Sequence, residues 1–359
     1  MRGYKLPANS SRYFKSYEEA VSQVPGNMLI SIHPRTGHLY NSMYRHQSIF
    51  YDSLYSTVNS FHFSQSKDEF TKILPTLSGS IFVEIGCGQG EFVDWLKSMG
   101  EVAYGFDPVC RKIAPYLISE VYDEQKVEYF LPTTSRIVFI MRCVLPHIEE
   151  PFQFIKETMA NFPNAKFLMQ HQRIEYYDET SSWNALMHDH VNVFQLQDFS
   201  NYFNVELSSI FCDGEWEQIM IGPKIEKQFL INVNGINLIE RLLLARRRHL
   251  KILMNQEPVY FFGAAGKGIN FAYACIEAGV NLQGAIDDSS LFAGKYLEGS
   301  GVMVSSPEDL APARTKNAAL IVMNHNHLAS ARERFGNFAS VDSLHTLGES
   351  NNSANEAQL

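Results

Sequence analysis

Four groups of residues in this sequence have types and spacings suited to chemistry. Val83 to Phe92 reads VEIGCGQGEF, with Gly86, Gly88 and Gly90 alternating straight after the apolar run Ile81, Phe82, Val83 and Ile85. Glycines at this density let the backbone take positive φ and come close to a ligand. The helix expected behind them, with Phe92, Val93, Trp95 and Leu96 at helical spacing, offers free N–H groups at its start. Glu84 stands two residues before the first glycine. Asp107 ends the next apolar run, 19 residues after Gly88. A carboxylate there can accept both hydroxyls of a ribose, or it can cap a helix ahead of Pro108. The third group is Met187-His188-Asp189-His190-Val191-Asn192, two histidines around one carboxylate. It reads as a metal site in need of further ligands, as a surface loop, or as a general base tuned by its neighbour, since histidine titrates near neutral pH. The fourth is Gly263-Ala264-Ala265-Gly266-Lys267-Gly268. Its G-x-x-G-x-G spacing fits the dinucleotide fingerprint poorly. Lys267 at a helix N-terminus would suit a substrate phosphate, and the turn reads equally well as empty scaffold.

Each group needs an element to hold it. Ile81–Ile85, Val102–Asp107, Arg136–Met141 and Ala165–Gln170 read as buried strands, whose ends should face one cleft because open sheets bind ligands at their carboxyl edges. The segment Arg142-Cys143-Val144-Leu145-Pro146-His147 follows the third of these, and His147 either lies beside a ligand or caps the next helix. Residues 68–80 read as a helix ending near Pro75 and Gly79. A long helix is expected from Ile236 to about Asn255, apolar through Leu238, Ile239, Leu242, Leu243 and Leu250, basic through Arg246–Arg248. A second strand–turn–helix series follows: Val259–Phe262, Ile269–Ala278, Gly284–Asp288 and Ala318–Met323. Asn324, just after the last of these, joins Lys267 as a substrate-binding candidate. Upstream, Tyr40, Tyr44, Phe50, Tyr51, Tyr55, Phe61 and Phe63 crowd together. They read as a packing cap, or, for Tyr51-Asp52-Ser53-Leu54-Tyr55 and Ser60, as the lining of a substrate entrance.

The totals narrow the field. The 359 residues are 45% hydrophobic and 19% charged, enough for two domains with sizeable cores. A net charge of −9 disfavours nucleic acid as a partner. There is no 18-residue apolar run and no cleavable signal pattern, so a cytoplasmic protein with no membrane partner is expected. The five cysteines, Cys87, Cys110, Cys143, Cys212 and Cys275, show no CxxC spacing, so neither a zinc site nor a disulfide framework is expected. The oligomeric state is left open.

Motif I of class I S-adenosylmethionine (SAM) methyltransferases resembles the G-x-G-x-G turn with its preceding acid. Over roughly residues 45–340 the chain resembles the sugar C-methyltransferases of deoxysugar biosynthesis, through VEIGCGQGEF, RCVLPHI, MHDHVNVF, YFFGAAGKGINF and IDDSSLFAGKYLEGSGVMVSSPEDL in the family's order. The last two are the more specific phrases. The resemblance implies an α/β fold: a class I SAM methyltransferase Rossmann-like domain, then a second, smaller Rossmann-like α/β domain, with a short aromatic-rich N-terminal cap. The divisions expected are 1–67 for the cap, 68–235 for the SAM-binding domain, 236–258 for a linking helix, 259–347 for the second domain and 348–359 for a disordered tail. It also implies SAM as cofactor, held by Glu84, Gly86, Gly88, Gly90, Asp107, Arg142, Leu145 and His147. The substrate implied is a small molecule, a nucleotide-linked keto-sugar or related anionic metabolite, bound by Tyr51, Ser60, Lys267 and Asn324. The family's "HEH" segment supplies a base from its second histidine, which makes His190 the candidate base, grouped with His188, Asp189 and Tyr55. Two departures stand out. No cysteine precedes Cys87, so the family's N-terminal zinc module has no counterpart and no metal is expected. The tyrosine and glutamate of the family's "YHEH" are Met187 and Asp189 here.

Overall fold

The computed structural model describes residues 3–45, 60–131, 136–223, 233–256, 258–310 and 315–347. The chain opens with short pieces: β1 (Tyr4–Leu6), β2 (Tyr13–Phe14), α1 (Tyr17–Val21), β3 (Gly26–Met28), β4 (Ile30–Ile32) and β5 (Leu39–Asn41). β1 pairs with β3 and β4 with β5, both antiparallel. Strands of two or three residues cannot stand alone, so they depend on partners from the rest of the chain.

The first large sheet comes from α2 (Ser60–Ile73), β6 (Ile81–Ile85), α3 (Glu91–Ser98), β7 (Val102–Phe106), β8 (Leu117–Ile118), α4 (Glu124–Phe130), β9 (Ile137–Arg142), α5 (Pro151–Asn161), β10 (Lys166–Gln172), α6 (Ile174–Glu179), β11 (Asn192–Val193), α7 (Leu196–Ser200), β12 (Asn204–Phe211) and β13 (Trp216–Gly222). Its order is β12-β13-β10-β9-β6-β7-β8. β8, β7, β6, β9 and β10 run parallel; β13 is antiparallel to β10, and β12 to β13. β9, IVFIMR, is almost wholly apolar because helices cover both faces of the sheet. Phe139 and Met141 face α5 through Phe152 and Ile155. Val138 and Ile140 face the other way, toward Phe70 and Phe92. Strand order reverses between β6 and β9, so the loops leaving these strands diverge and open a crevice at their carboxyl ends. The glycine turn leaves β6 there and Cys143 leaves β9.

The second sheet follows α8 (Val233–Leu253) and comprises β14 (Val259–Phe262), α9 (Gly266–Ala278), β15 (Leu282–Ile286), β16 (Tyr296–Leu297), β17 (Val304–Ser305), β18 (Ala319–Val322), α10 (Leu328–Arg334) and β19 (Ser340–Ser343). The order β17-β15-β14-β18-β19 is parallel throughout. Here the reversal lies between β14 and β18, which brings the turn carrying Lys267 beside Asn324. At Gly268 an added Cβ would overlap the Gly263 carbonyl and the Phe261 ring. Gly268→Ala is therefore expected to cost about 1–3 kcal/mol, read as a lowered melting temperature.

The N-terminal strands join the two sheets. β5 pairs with β11 in the first half, and β2 pairs with β16 in the second. One core runs from Leu6, Tyr13 and Met28 through Tyr177 and Trp183 to Leu238, Ile239 and Leu242 of α8 and on to Phe261 and Phe271. α8 begins three residues before the helix expected from Ile236, and its apolar stripe is core. α2 also differs from expectation. It starts at Ser60, and Pro75 sits in a separate 3-10 turn, Leu74–Leu77. The helical period is hard to see upstream because the buried Ser66 interrupts it, its hydroxyl donating to Gln170 Oε1 at 2.6 Å. Among the described residues no helix is long and apolar enough to cross a membrane.

Candidate active site

The first glycine turn is bolted to β7. The N–H groups of Gly86 and Cys87 donate to the Phe106 carbonyl at 2.8 and 3.1 Å. Gly86, Gly88 and Gly90 take φ of 72°, 57° and 84°. Gly90 caps α3, and a Cβ on Gly86 would overlap Val144, so only glycine lets the turn close against the segment after β9. Asp107 ties the turn down: Oδ2 accepts the Gly88 N–H at 2.9 Å and Oδ1 the Val109 N–H at 2.8 Å. Burial raises its pKa, and the two N–H groups pull it back. Each carboxylate oxygen keeps a second lone pair for a ligand hydroxyl.

Glu84 is 1% exposed. Its Oε1 accepts from Arg142 Nε at 2.7 Å, and the Arg142 guanidinium lies 4.1 Å above the Phe92 ring. Its Oε2 is buried with no hydrogen-bond partner. Burial raises the Glu84 pKa against the pull of Arg142. An orphaned carboxylate oxygen beside a glycine turn suits a ligand that brings its own donor, an ammonium above all. Removing one partner of such a pair strands the other. Arg142→Met should lower unfolding free energy by about 3–5 kcal/mol, and adding Glu84→Gln should recover part of it, read by urea denaturation.

Leu145 is buried in the 3-10 turn Leu145–His147. His147 Nδ1 donates to the Asp189 carbonyl at 2.7 Å, which fixes its tautomer, and its ring stands edge-on to His190 with centroids 4.8 Å apart. The His190 pKa is pushed down to about 4, by burial first and by His147 second, with the Asp189 charge opposing both. Tuning by the adjacent carboxylate thus loses to desolvation, and His190 is a neutral imidazole at physiological pH. The Asp189 carboxylate instead turns to the N-terminal segment, accepting the Ser10 N–H at 3.0 Å and hydroxyl at 2.7 Å. His188 is held by different neighbours. Its Nδ1 donates to the Ala8 carbonyl at 3.2 Å, its ring lies against Tyr44, and a Cβ on Gly26 would overlap it. Among the described residues no group of three or more His, Cys, Asp or Glu is placed to hold a metal ion.

The substrate candidates of the second sheet do come together, on a residue that sequence reasoning passed over. Lys267 Nζ donates to Glu215 Oε1 at 2.6 Å, and Asn324 Nδ2 to Glu215 Oε2 at 2.9 Å. Glu215 is 4% exposed. A phosphate at Lys267 would have to compete with this carboxylate. Glu215 lies in CDGEWE between β12 and β13, where an Asp-Gly pair reads as an ordinary solvent-facing hairpin turn. Its one sequence signal is its place just before Trp216, the first residue of β13. Nearby, Tyr176 donates to Asn326 Oδ1 at 2.6 Å. Tyr51 and Tyr55 lie outside the described residues, and Ser60 is the first residue of α2.

Residues 58–204, less than half of the chain, match the family model described as a methyltransferase domain. A comparison with curated proteins gave no match. Among solved structures, the PH0226 protein from Pyrococcus horikoshii OT3 is 15% identical, with 47% of this chain and 100% of that one covered at a TM-score of 0.33. Magnesium protoporphyrin IX methyltransferase from Synechocystis PCC 6803, solved with bound SAH, is 13% identical, with 47% and 90% covered at a TM-score of 0.33. Residues 58–204 therefore match a methyltransferase domain, and they lie on a Rossmann-like α/β core. S-adenosyl-L-methionine is the cofactor expected at the first glycine turn. The turn fits that group: SAM carries the ammonium that the Glu84 Oε2 orphan lacks and the paired ribose hydroxyls that Asp107 can accept.

Proposed function

We propose that this enzyme methylates a carbon atom of a nucleotide-linked keto-sugar or related anionic metabolite. The observation that carries the reading is His190, a base kept neutral by burial and set edge-on against His147, which leaves the same crevice as the cofactor turn. In this reading Gly86, Gly88 and Gly90 bring the backbone close to the cofactor. Glu84, aligned by Arg142, takes its ammonium, Asp107 takes its ribose hydroxyls, and Leu145 and His147 wall the far side. Bound there, SAM supplies an electrophilic methyl group. His190 would take the proton next to the substrate ketone, leaving an enolate carbon turned toward the methyl group that SAM, held by Glu84, the glycine turn and Asp107, would supply. Lys267 and Asn324, held on Glu215, line the acceptor side.

Methyl transfer to oxygen or nitrogen is a second reading, favoured by Glu215: a buried carboxylate beside Lys267 would hold a hydroxyl or amine. Two experiments separate them. A mass-spectrometric screen of nucleotide-sugars with SAM should find one that gains a single methyl. Solvent deuterium should enter that substrate next to its ketone without SAM; no exchange would favour the second reading.

The pH dependence has a definite sign. An ordinary histidine titrates near 6.5. His190, facing His147 and Asp189, gains its proton only near pH 4, so the acid limb of kcat/KM should lie well below 6.5. The unfolded chain takes up that proton first, so stability should fall as pH drops from about 6.5 toward 4. His190→Asn should lessen that fall in urea titrations at pH 7 and 5.

A further inference from the structure

We propose that the second glycine turn already holds its ligand, the chain's own residues Ala8–Tyr13, and that through them the second sheet positions the His188–His190 segment. The turns of the two sheets share one device. In the first, the Gly88 N–H donates to Asp107 Oδ2 at 2.9 Å and the Val109 N–H to Oδ1 at 2.8 Å. In the second, the Ala264 N–H donates to Asp287 Oδ2 at 2.7 Å and the Ser289 N–H to Oδ1 at 2.8 Å. Each aspartate ends the strand beside the one that feeds the turn. By backbone geometry both crevices are of the kind that receives a nucleotide.

The second crevice is filled from within. Tyr13 is 2% exposed, and its ring stacks on Phe292 with centroids 4.2 Å apart. Its hydroxyl lies 3.5 Å from the Ala264 carbonyl. Its phenol pKa is raised by burial first and by the Asp287 charge second. A Cβ on Gly266 would lie 3.4 Å from the Ser10 carbonyl and 3.1 Å from Met187 Sδ, so backbone and side chain close over the turn. β2, which contains Tyr13, is pinned by its pairing with β16.

The same residues reach the histidine segment from behind. The Ala8 carbonyl accepts from His188 Nδ1, and Ser10 donates twice to Asp189 Oδ2. Between them, Asn9 is anchored to Glu298, its backbone N–H donating to Oε1 at 3.1 Å and its Nδ2 to Oε2 at 3.2 Å. Asp189 precedes His190 and receives His147 on its carbonyl, so the segment's position passes to the base through one peptide unit. Ser10 is accordingly a positioning residue. Its part in catalysis rests on the proposed role of His190; the filling of the second turn does not.

Two measurements on the full chain test this. In calorimetric titration with SAM saturating, NADH should not bind the second turn; NADH binding that Asp287→Asn abolishes would overturn the proposal. In hydrogen exchange, Ser10→Ala should speed exchange of peptides spanning 187–192 by roughly tenfold, leaving 84–92 and SAM affinity unchanged, and Ser10→Thr should restore protection. Unchanged exchange at 187–192 in Ser10→Ala would also overturn it. Neither measurement needs an acceptor, so a wrong acceptor assignment would leave both intact. With the acceptor in hand, Ser10→Ala should lower kcat more than it raises KM.

Discussion

Gly88→Val and Asp107→Ala are each expected to abolish SAM binding, weakening it by about 100-fold or more, a loss of roughly 2.8 kcal/mol. The two act on one bond from opposite ends. Gly88 sits at φ 57°, a conformation that strains a β-branched residue severely, and its N–H is the donor to Asp107. Valine there would push the turn away from the close backbone approach that the cofactor needs. Alanine at position 107 leaves the Gly88 and Val109 N–H groups without their acceptor and removes the carboxylate proposed for the ribose hydroxyls. Isothermal calorimetry checks both, with far-ultraviolet circular dichroism to confirm that the sheet survives. Unchanged affinity in both variants would remove the turn from the cofactor site.

His190→Asn should retain SAM affinity and lose turnover by about 10²–10⁴, the scale of a missing general base. Asparagine keeps a polar side chain in the pocket but cannot carry the proton. The burial that lowers the His190 pKa makes it a weaker base than free imidazole, and it also keeps the base unprotonated over the working pH range. His188→Asn is a useful contrast. His188 is locked to the Ala8 carbonyl and packed on Tyr44, so its loss should show first in stability. Near-normal turnover in His190→Asn would take that residue out of the mechanism and with it the enolate route.

The first turn was legible because its determinants are local. Three alternating glycines, an acid two residues before them and Asp107 on the next strand all act within one β–α–β unit, where sequence spacing maps directly onto distance. The apolar runs that became β6, β7, β9 and β10 were equally readable, since strands covered on both faces need apolar residues throughout. The start of α2 was not, because the buried Ser66 is satisfied by Gln170, 104 positions away.

By itself, then, the sequence determined the glycine turns, the strands that feed them and the carboxylates that close them, because each depends on backbone geometry set by near neighbours. Tertiary structure decided what those parts face. Lys267 and Asn324 meet on Glu215 across 52 and 109 residues, and Ser10 reaches Asp189 across 179. Whether a lysine is paired, a histidine neutral or a turn already filled follows from desolvation and partners brought in from elsewhere in the chain, and no spacing rule encodes these.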